Sequence, residues 1–166
     1  MLNRYYLFSI LLIIFHNSTF AQNYLLQNEE LIYSFQTKNG KEVMLSQDTT
    51  DKYIVYRFGT TDKIELNFPK LNRESWHKFT YSYYLRGGVK NEGLDLNYLS
   101  FVIGQYKYVI CQTYSSVDDK KECGIKIIDF RTNRITEIKG DPETIKGSLM
   151  DLRNNEFIQI GEELFD

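Results

Sequence analysis

From Leu31 onward the chain is a succession of short runs in which apolar residues recur at every second position. No segment carries the 3.6-residue period of an amphipathic helix over a useful length. Val, Ile, Tyr, Phe and Thr fill these runs, the residue types that suit a pleated surface. Turn residues separate them at close spacing. LIYSFQT and KEVMLSQ flank Asn39-Gly40, the strongest short hairpin signal. YIVYRFG and DKIELNF meet at Thr60-Thr61-Asp62, and Pro69 ends the second run because it has no N–H for a ladder. LDLNYLSFVI and YKYVICQTY are divided by Gly104-Gln105, CGIKIIDF and RITEIK by Arg131 to Asn133, and SLMDLR and EFIQI by Asn154-Asn155. Helix is expected only in brief pieces: one turn between Leu71 and Ser75, and a short helix capped by Asp141-Pro142-Glu143 and stopped by Gly147. The pattern predicts an all-β chain, a single antiparallel β-barrel or β-sandwich built mainly of hairpins, with about ten strands.

The stretch from Trp76 to Phe101 reads as the central hairpin of that sheet. Side chains alternate across a strand, so His77, Phe79, Tyr81, Tyr83 and Leu85 share one face, and Lys78, Thr80, Ser82, Tyr84 and Arg86 the other. Opposing Leu85 with Leu94 pairs Tyr83 with Leu96 and Tyr81 with Tyr98 on the apolar side. The outer side then pairs Tyr84 with Asp95 and Ser82 with Asn97. Beyond Tyr98 the alternation falters, since Ser100 lands inside and Leu99 and Phe101 outside; a bulge or burial on both faces accounts for this.

Residues 1–21 carry a basic Arg4, an apolar core from Leu7 to Phe15, and small residues at Thr19 and Ala21, the three-part pattern of a cleaved secretory signal peptide. The apolar run is shorter than a membrane span of about 18–20 residues, so no membrane insertion is expected after cleavage. Residues 22–166 form one β domain, and its location is expected to be periplasmic or secreted. Without Arg4 the chain has 19 Lys and Arg against 22 Asp and Glu, both signs interspersed. That balance provides no basic footprint for nucleic acid. An even cysteine count in an exported chain favours a disulfide, and opposing Val109 with Ile125 sets Cys111 against Cys123 on one face. The alternative is two buried thiols packed as small apolar groups.

No catalytic or cofactor motif is present: no nucleophile elbow, zinc-protease helix, P-loop or EF-hand loop. His77, the one histidine of residues 22–166, is expected as a packed residue beside Phe79 rather than a base. Two cysteines and one histidine do not complete a zinc site, and no metal or cofactor is expected. Residues 22–166 hold eleven tyrosines, most of them core, with some facing out as exposed anchors of a binding surface. Near the hairpin tip the outer face groups Tyr84, Arg86, Asp95 and Asn97. These four are either a recognition patch or, for Arg86 and Asp95, a plain surface ion pair. Residues 162–166 are acidic and expected to be loose.

The segments SWHKFTYSYYLRGG, NEGLDLNYLSF and YKYVICQTYSS resemble small exported bacterial β-rich proteins of unassigned function. In size and fold class alone the chain also resembles periplasmic lysozyme inhibitors, whose Ser-Gly…Tyr binding loop it lacks. Neither resemblance transfers a residue role. The expected function is therefore an exported, non-catalytic binding module of the bacterial cell envelope, an inhibitor or immunity-type factor acting on an envelope or extracellular protein. The rival classes are an envelope hydrolase using two carboxylates and a structural surface protein.

Overall fold

The structure is a computed structural model describing residues 24–60, 62–87 and 92–165. The expected leader, residues 1–21, and the hairpin tip at 88–91 lie outside the described residues. The strands are β1 (Glu29–Thr37), β2 (Glu42–Asp48), β3 (Ile54–Thr60), β4 (Lys63–Phe68), β5 (Thr80–Arg86), β6 (Leu94–Ile103), β7 (Tyr106–Ser115), β8 (Lys120–Asp129), β9 (Ile135–Gly147) and β10 (Gln159–Ile160). Two 3-10 helices, Arg73–Lys78 and Leu149–Asn154, sit between β4 and β5 and between β9 and β10.

All ten strands belong to one sheet in the order β10-β5-β6-β7-β8-β9-β1-β2-β3-β4. The all-β reading therefore holds. The sheet is mixed rather than wholly antiparallel, because β10 runs parallel to β5. It has β10 and β4 as edges, so it is a curled half-barrel and not a closed barrel. Two meanders, β1–β4 and β5–β9, are joined where β9 pairs with β1. The curl brings their inner faces onto one core, with Tyr33, Phe35, Leu45 and Tyr56 from the first and Tyr81, Leu99, Phe101 and Ile110 from the second. Phe101 is the meeting point: its ring centroid lies 5.0 Å from Tyr56, 4.9 Å from Phe68 and 5.2 Å from Phe79.

The seam between β1 and β9 replaces the short helix expected at Asp141-Pro142-Glu143. Ser34 pairs with Lys146 and Gln36 with Asp141, so the residues between bulge out of the ladder. The capping chemistry is used inside that bulge. Asp141 Oδ1 accepts from the Glu143 N–H at 3.1 Å, and Thr144 Oγ1 accepts from the Gln36 N–H at 2.8 Å. Two glycines permit the close approach: a Cβ on Gly140 would collide with Cys123 Sγ and the Phe35 ring, and one on Gly147 (φ +70°) with the Ile32 carbonyl.

The 3-10 helices plug the curl. Trp76 is buried, donates from Nε1 to the Asp51 carbonyl at 3.1 Å and packs on Phe157 with ring centroids 5.5 Å apart. It lies in the Arg73–Lys78 helix, so β5 begins at Thr80, four residues later than the sequence suggests, and His77 is exposed rather than packed on an apolar strand face. Leu149–Asn154 stands where a hairpin strand was expected. Ser148 caps it, with its side chain accepting from the Met150 N–H, and Leu149 and Leu152 are buried in the core.

Register is where structure and sequence part. Tyr83 opposes Asn97, Tyr84 opposes Leu96 and Leu85 opposes Asp95, one residue from the expected pairing. The same one-residue offset separates the cysteines: Cys111 opposes Gly124, and Gln112 opposes Cys123. The thiols therefore point to opposite faces and are not joined in a disulfide. Cys123 lies in the inner core and Cys111 in the apolar cluster on the outer face. Burial pushes the Cys123 thiol up to about 12. Titration of the denatured, unreduced protein is expected to find two thiols, and the folded protein to react slowly with the same reagent; zero thiols would require a register shift in β8.

On the outer face of the first meander the segment before β1 is clamped by a buried ion pair. Arg57 Nη1 and Nη2 contact Glu29 Oε2 and Oε1 at 2.6 and 2.7 Å, and Nη1 also reaches the Tyr24 carbonyl at 2.6 Å. Burial alone would raise the Glu29 carboxyl. Hydrogen bonds from Arg57, the Leu26 amide and Tyr53 outweigh it and hold the group below its ordinary value. Arg57→Leu leaves a buried carboxylate unpaired, and we expect a loss of about 3–5 kcal/mol in chemical denaturation. A depressed folded pKa means that the Glu29 contribution is present above the unfolded value near 4.3 and is lost as pH falls through the folded one. Acid unfolding should accordingly be shallower in Glu29→Gln than in the natural protein.

Candidate functional site

The strand parity of β5–β9 sorts the candidate residues onto two faces. Tyr84 and Arg86 lie on the outer face beside Leu96 and Leu94, while Asp95 and Asn97 lie on the inner face beside Leu85 and Tyr83. The patch expected from the sequence is therefore divided through the sheet.

The inner pair belongs to a compact polar cluster at the end of the core. Arg153, brought in by the second 3-10 helix, forms an ion pair with Asp95 and donates to Asn97 Oδ1 at 2.9 Å. Its guanidinium lies 5.0 Å from the Tyr83 ring centroid. The Tyr81 hydroxyl donates to Asn97 Oδ1 at 2.6 Å, and Asn97 Nδ2 donates to Asp95 Oδ1 at 2.7 Å. Burial pushes the Tyr81 phenol up to about 12 in spite of Arg153. The Arg153 contacts tie the helix to β5 and β6 and the Tyr81–Asn97 bond ties β5 to β6, so Asp95 and Asn97 hold the fold together. Arg86 does not meet Asp95: its Nε donates to the Glu92 carbonyl at 3.0 Å.

The outer face is apolar where a solvated face was expected. Leu96, Tyr98, Val109 and Cys111 cluster there under the ring of Phe165. The acidic tail, expected to be loose, is what covers them. The Gly161 N–H donates to the Tyr81 carbonyl at 2.8 Å, and Ser82 Oγ donates to the Glu163 carbonyl at 2.6 Å. Lys107 pairs with the Glu163 carboxylate and lies 4.6 Å from the Phe165 centroid. Phe165 meets Tyr98 edge to face at 5.5 Å, and Lys126 donates to the Phe165 carbonyl.

Past Phe165 none of the described residues covers the face, and a groove of about 600 Å³ opens. One row across it runs Tyr98, Cys111, Gly124, Lys139 on β6 to β9, with Gly124 close against the Ile138 carbonyl of β9. Leu94 and Leu96 continue the floor, and Tyr84 and Arg86 stand on the neighbouring strand at its border. The rim is formed by Lys38, Lys120, Lys139, Glu122 and Glu137. Lys120 pairs with Glu122 at 2.9 Å. Lys38 and Lys139 have no ion pair among the described residues, and the Lys38 N–H bonds the Lys139 carbonyl at 3.0 Å, which keeps them adjacent. A smaller hollow of about 420 Å³ lies on the far side of the tail and is bordered by His77, Lys78 and Lys107. Among the described residues no group of three or more His, Cys, Asp and Glu is placed to hold a metal ion.

Sequence reasoning reached Tyr84 and Arg86 but missed the lysine rim and Phe165. The available signal was the faltering alternation of β6, which reflects burial of both faces from Leu96 to Phe101. Asn97→Ala, which removes the acceptor of the buried Tyr81 hydroxyl, is expected to cost about 1–3 kcal/mol in stability. Arg86→Ala should stay within about 0.5 kcal/mol of the natural protein in the same denaturation experiment. Compared with known proteins, the chain matches no protein-family model, no curated protein and no solved structure.

Proposed function

We propose that this chain is a non-catalytic binding module of the bacterial cell envelope, and that the outer-face groove is where it holds a partner protein. The observation that carries the reading is the groove itself: an apolar floor rimmed by cations, left open beside a tail that covers the rest of the same face. Apolar floors with a few placed polar groups are the usual form of a binding site, and a half-exposed Tyr84 at the border is an anchor type enriched at interfaces. Export rests on the leader pattern of residues 1–21.

The rival hydrolase needs two carboxyls facing each other about 5–9.5 Å apart. The two in the groove are Glu122 and Glu137, and Glu137 pairs with Lys126, four residues along β8 from Glu122. Strand geometry then sets their backbones about 14 Å apart, which favours binding over carboxylate chemistry. A double charge reversal, Lys38→Glu with Lys139→Glu, changes two exposed residues and should leave the melting temperature nearly unchanged. Immobilised natural protein is expected to retain a specific envelope protein that the double variant releases. Equal retention by both, or turnover of a glycan substrate by the purified protein, would overturn the reading.

A further inference from the structure

The tail already shows what kind of chain this face accepts. Over the three residues Glu163-Leu164-Phe165 it places a carboxylate on Lys107, an aromatic ring on Tyr98 and a backbone carbonyl on Lys126. Leu164 between them is half-exposed. The segment is thus read at alternate positions, with an acid and a ring facing the sheet, as an extended peptide lying on a pleated surface would be.

The open groove repeats that chemistry one step further along the same strands. Its floor continues from Tyr98 to Leu96 and Leu94, and its cations continue from Lys126 to Lys139, Lys38 and Lys120. Tyr98 to Leu94 is four residues of one strand, about 13 Å, so the groove takes about four residues of extended chain. The rim holds three lysines against Glu122 and Glu137, and one of those acids is already paired with Lys120. The remaining positive charge asks for acid on the ligand.

We infer that the groove recognises an extended acidic peptide segment that carries an aromatic side chain, laid beyond Phe165 with its carboxylates on Lys38 and Lys139 and its ring on Leu94 and Leu96. This rests on the binding reading above and names its ligand class. The ring takes the apolar floor.

The test uses the full, isotope-labelled chain with three probes: the hexapeptide Gly-Glu-Glu-Leu-Phe-Asp, its uncharged Gln/Asn counterpart, and laurate. Amide resonances report where each probe sits, and calorimetry reports affinity. The acidic hexapeptide is expected to move the resonances of Leu94, Leu96, Gly124 and Lys139. Its affinity should fall at least tenfold when the peptide is uncharged, and again in the Lys38→Glu, Lys139→Glu double variant. Shifts confined to Ser82 and Lys107, where the tail lies, would overturn the inference. Groove shifts caused by laurate but not by the peptide would overturn the ligand class while sparing the binding reading. Groove shifts that appear on concentrating the protein alone would make a second copy of this chain the occupant and overturn a separate peptide ligand. No groove response to any probe would sink the ligand class. The binding reading would then be decided separately, by whether the natural protein retains a partner that the double variant releases.

Discussion

The pairing of β9 with β1 is the constraint on which the rest of the molecule depends. Each meander alone has an apolar inner face and nothing to cover it. The seam turns the two faces toward each other, and only then do Tyr33, Phe35 and Tyr56 meet Leu99, Phe101 and Ile110. Its tolerances are narrow because the strands approach with almost no intervening side chain: Gly140 lies against Cys123 and Phe35, and Gly147 against the Ile32 carbonyl. The bulge between Ser34 and Gln36 absorbs the mismatch in length between the strands, which is why an N-cap-like Asp141 ends up in a strand.

Local turn chemistry made much of the topology legible. Asn39-Gly40, Gly104-Gln105 and Arg131 to Asn133 all fall between paired strands, and Gly40 and Gly104 take the positive φ their turns need. Register was less legible, and the reason is physical. Parity identifies a register only when one face is apolar and the other polar. On β6 Leu96 and Tyr98 point one way and Leu99 and Phe101 the other, and both sets are buried. The cover on the outer side comes from Phe165, more than sixty residues later, so no local pattern announces it. The error in the cysteine pairing has the same origin, a single residue of slip on strands buried from both sides. The first 3-10 helix was legible only as a turn at Leu71 to Ser75 and runs on through Trp76 to Lys78, while the second, with Leu149 and Leu152 buried three residues apart, reads as strand in the sequence.

The two faces of β5–β9 thus have separate duties. Inside, Asp95, Asn97, Tyr81 and Arg153 satisfy one another and fix the second helix. Outside, lysines surround an apolar strip that is half covered by the tail. The candidate patch drawn from sequence mixed the two, since a one-residue slip carries every side chain to the opposite face.

The tail also bears on how the chain folds. It follows in sequence every strand it covers, and the sheet is built from distant pairings, β1 with β9 above all, which form slowly. The strip of Leu96, Tyr98 and Val109 therefore lies bare while the sheet assembles, a β-rich apolar surface of the kind that adheres to its own copies. Lys107 and Lys126 flank it from β7 and β8. Charges in that position act as gatekeepers against such adhesion. The lysines that hold the finished tail in place guard the nascent sheet before the tail arrives.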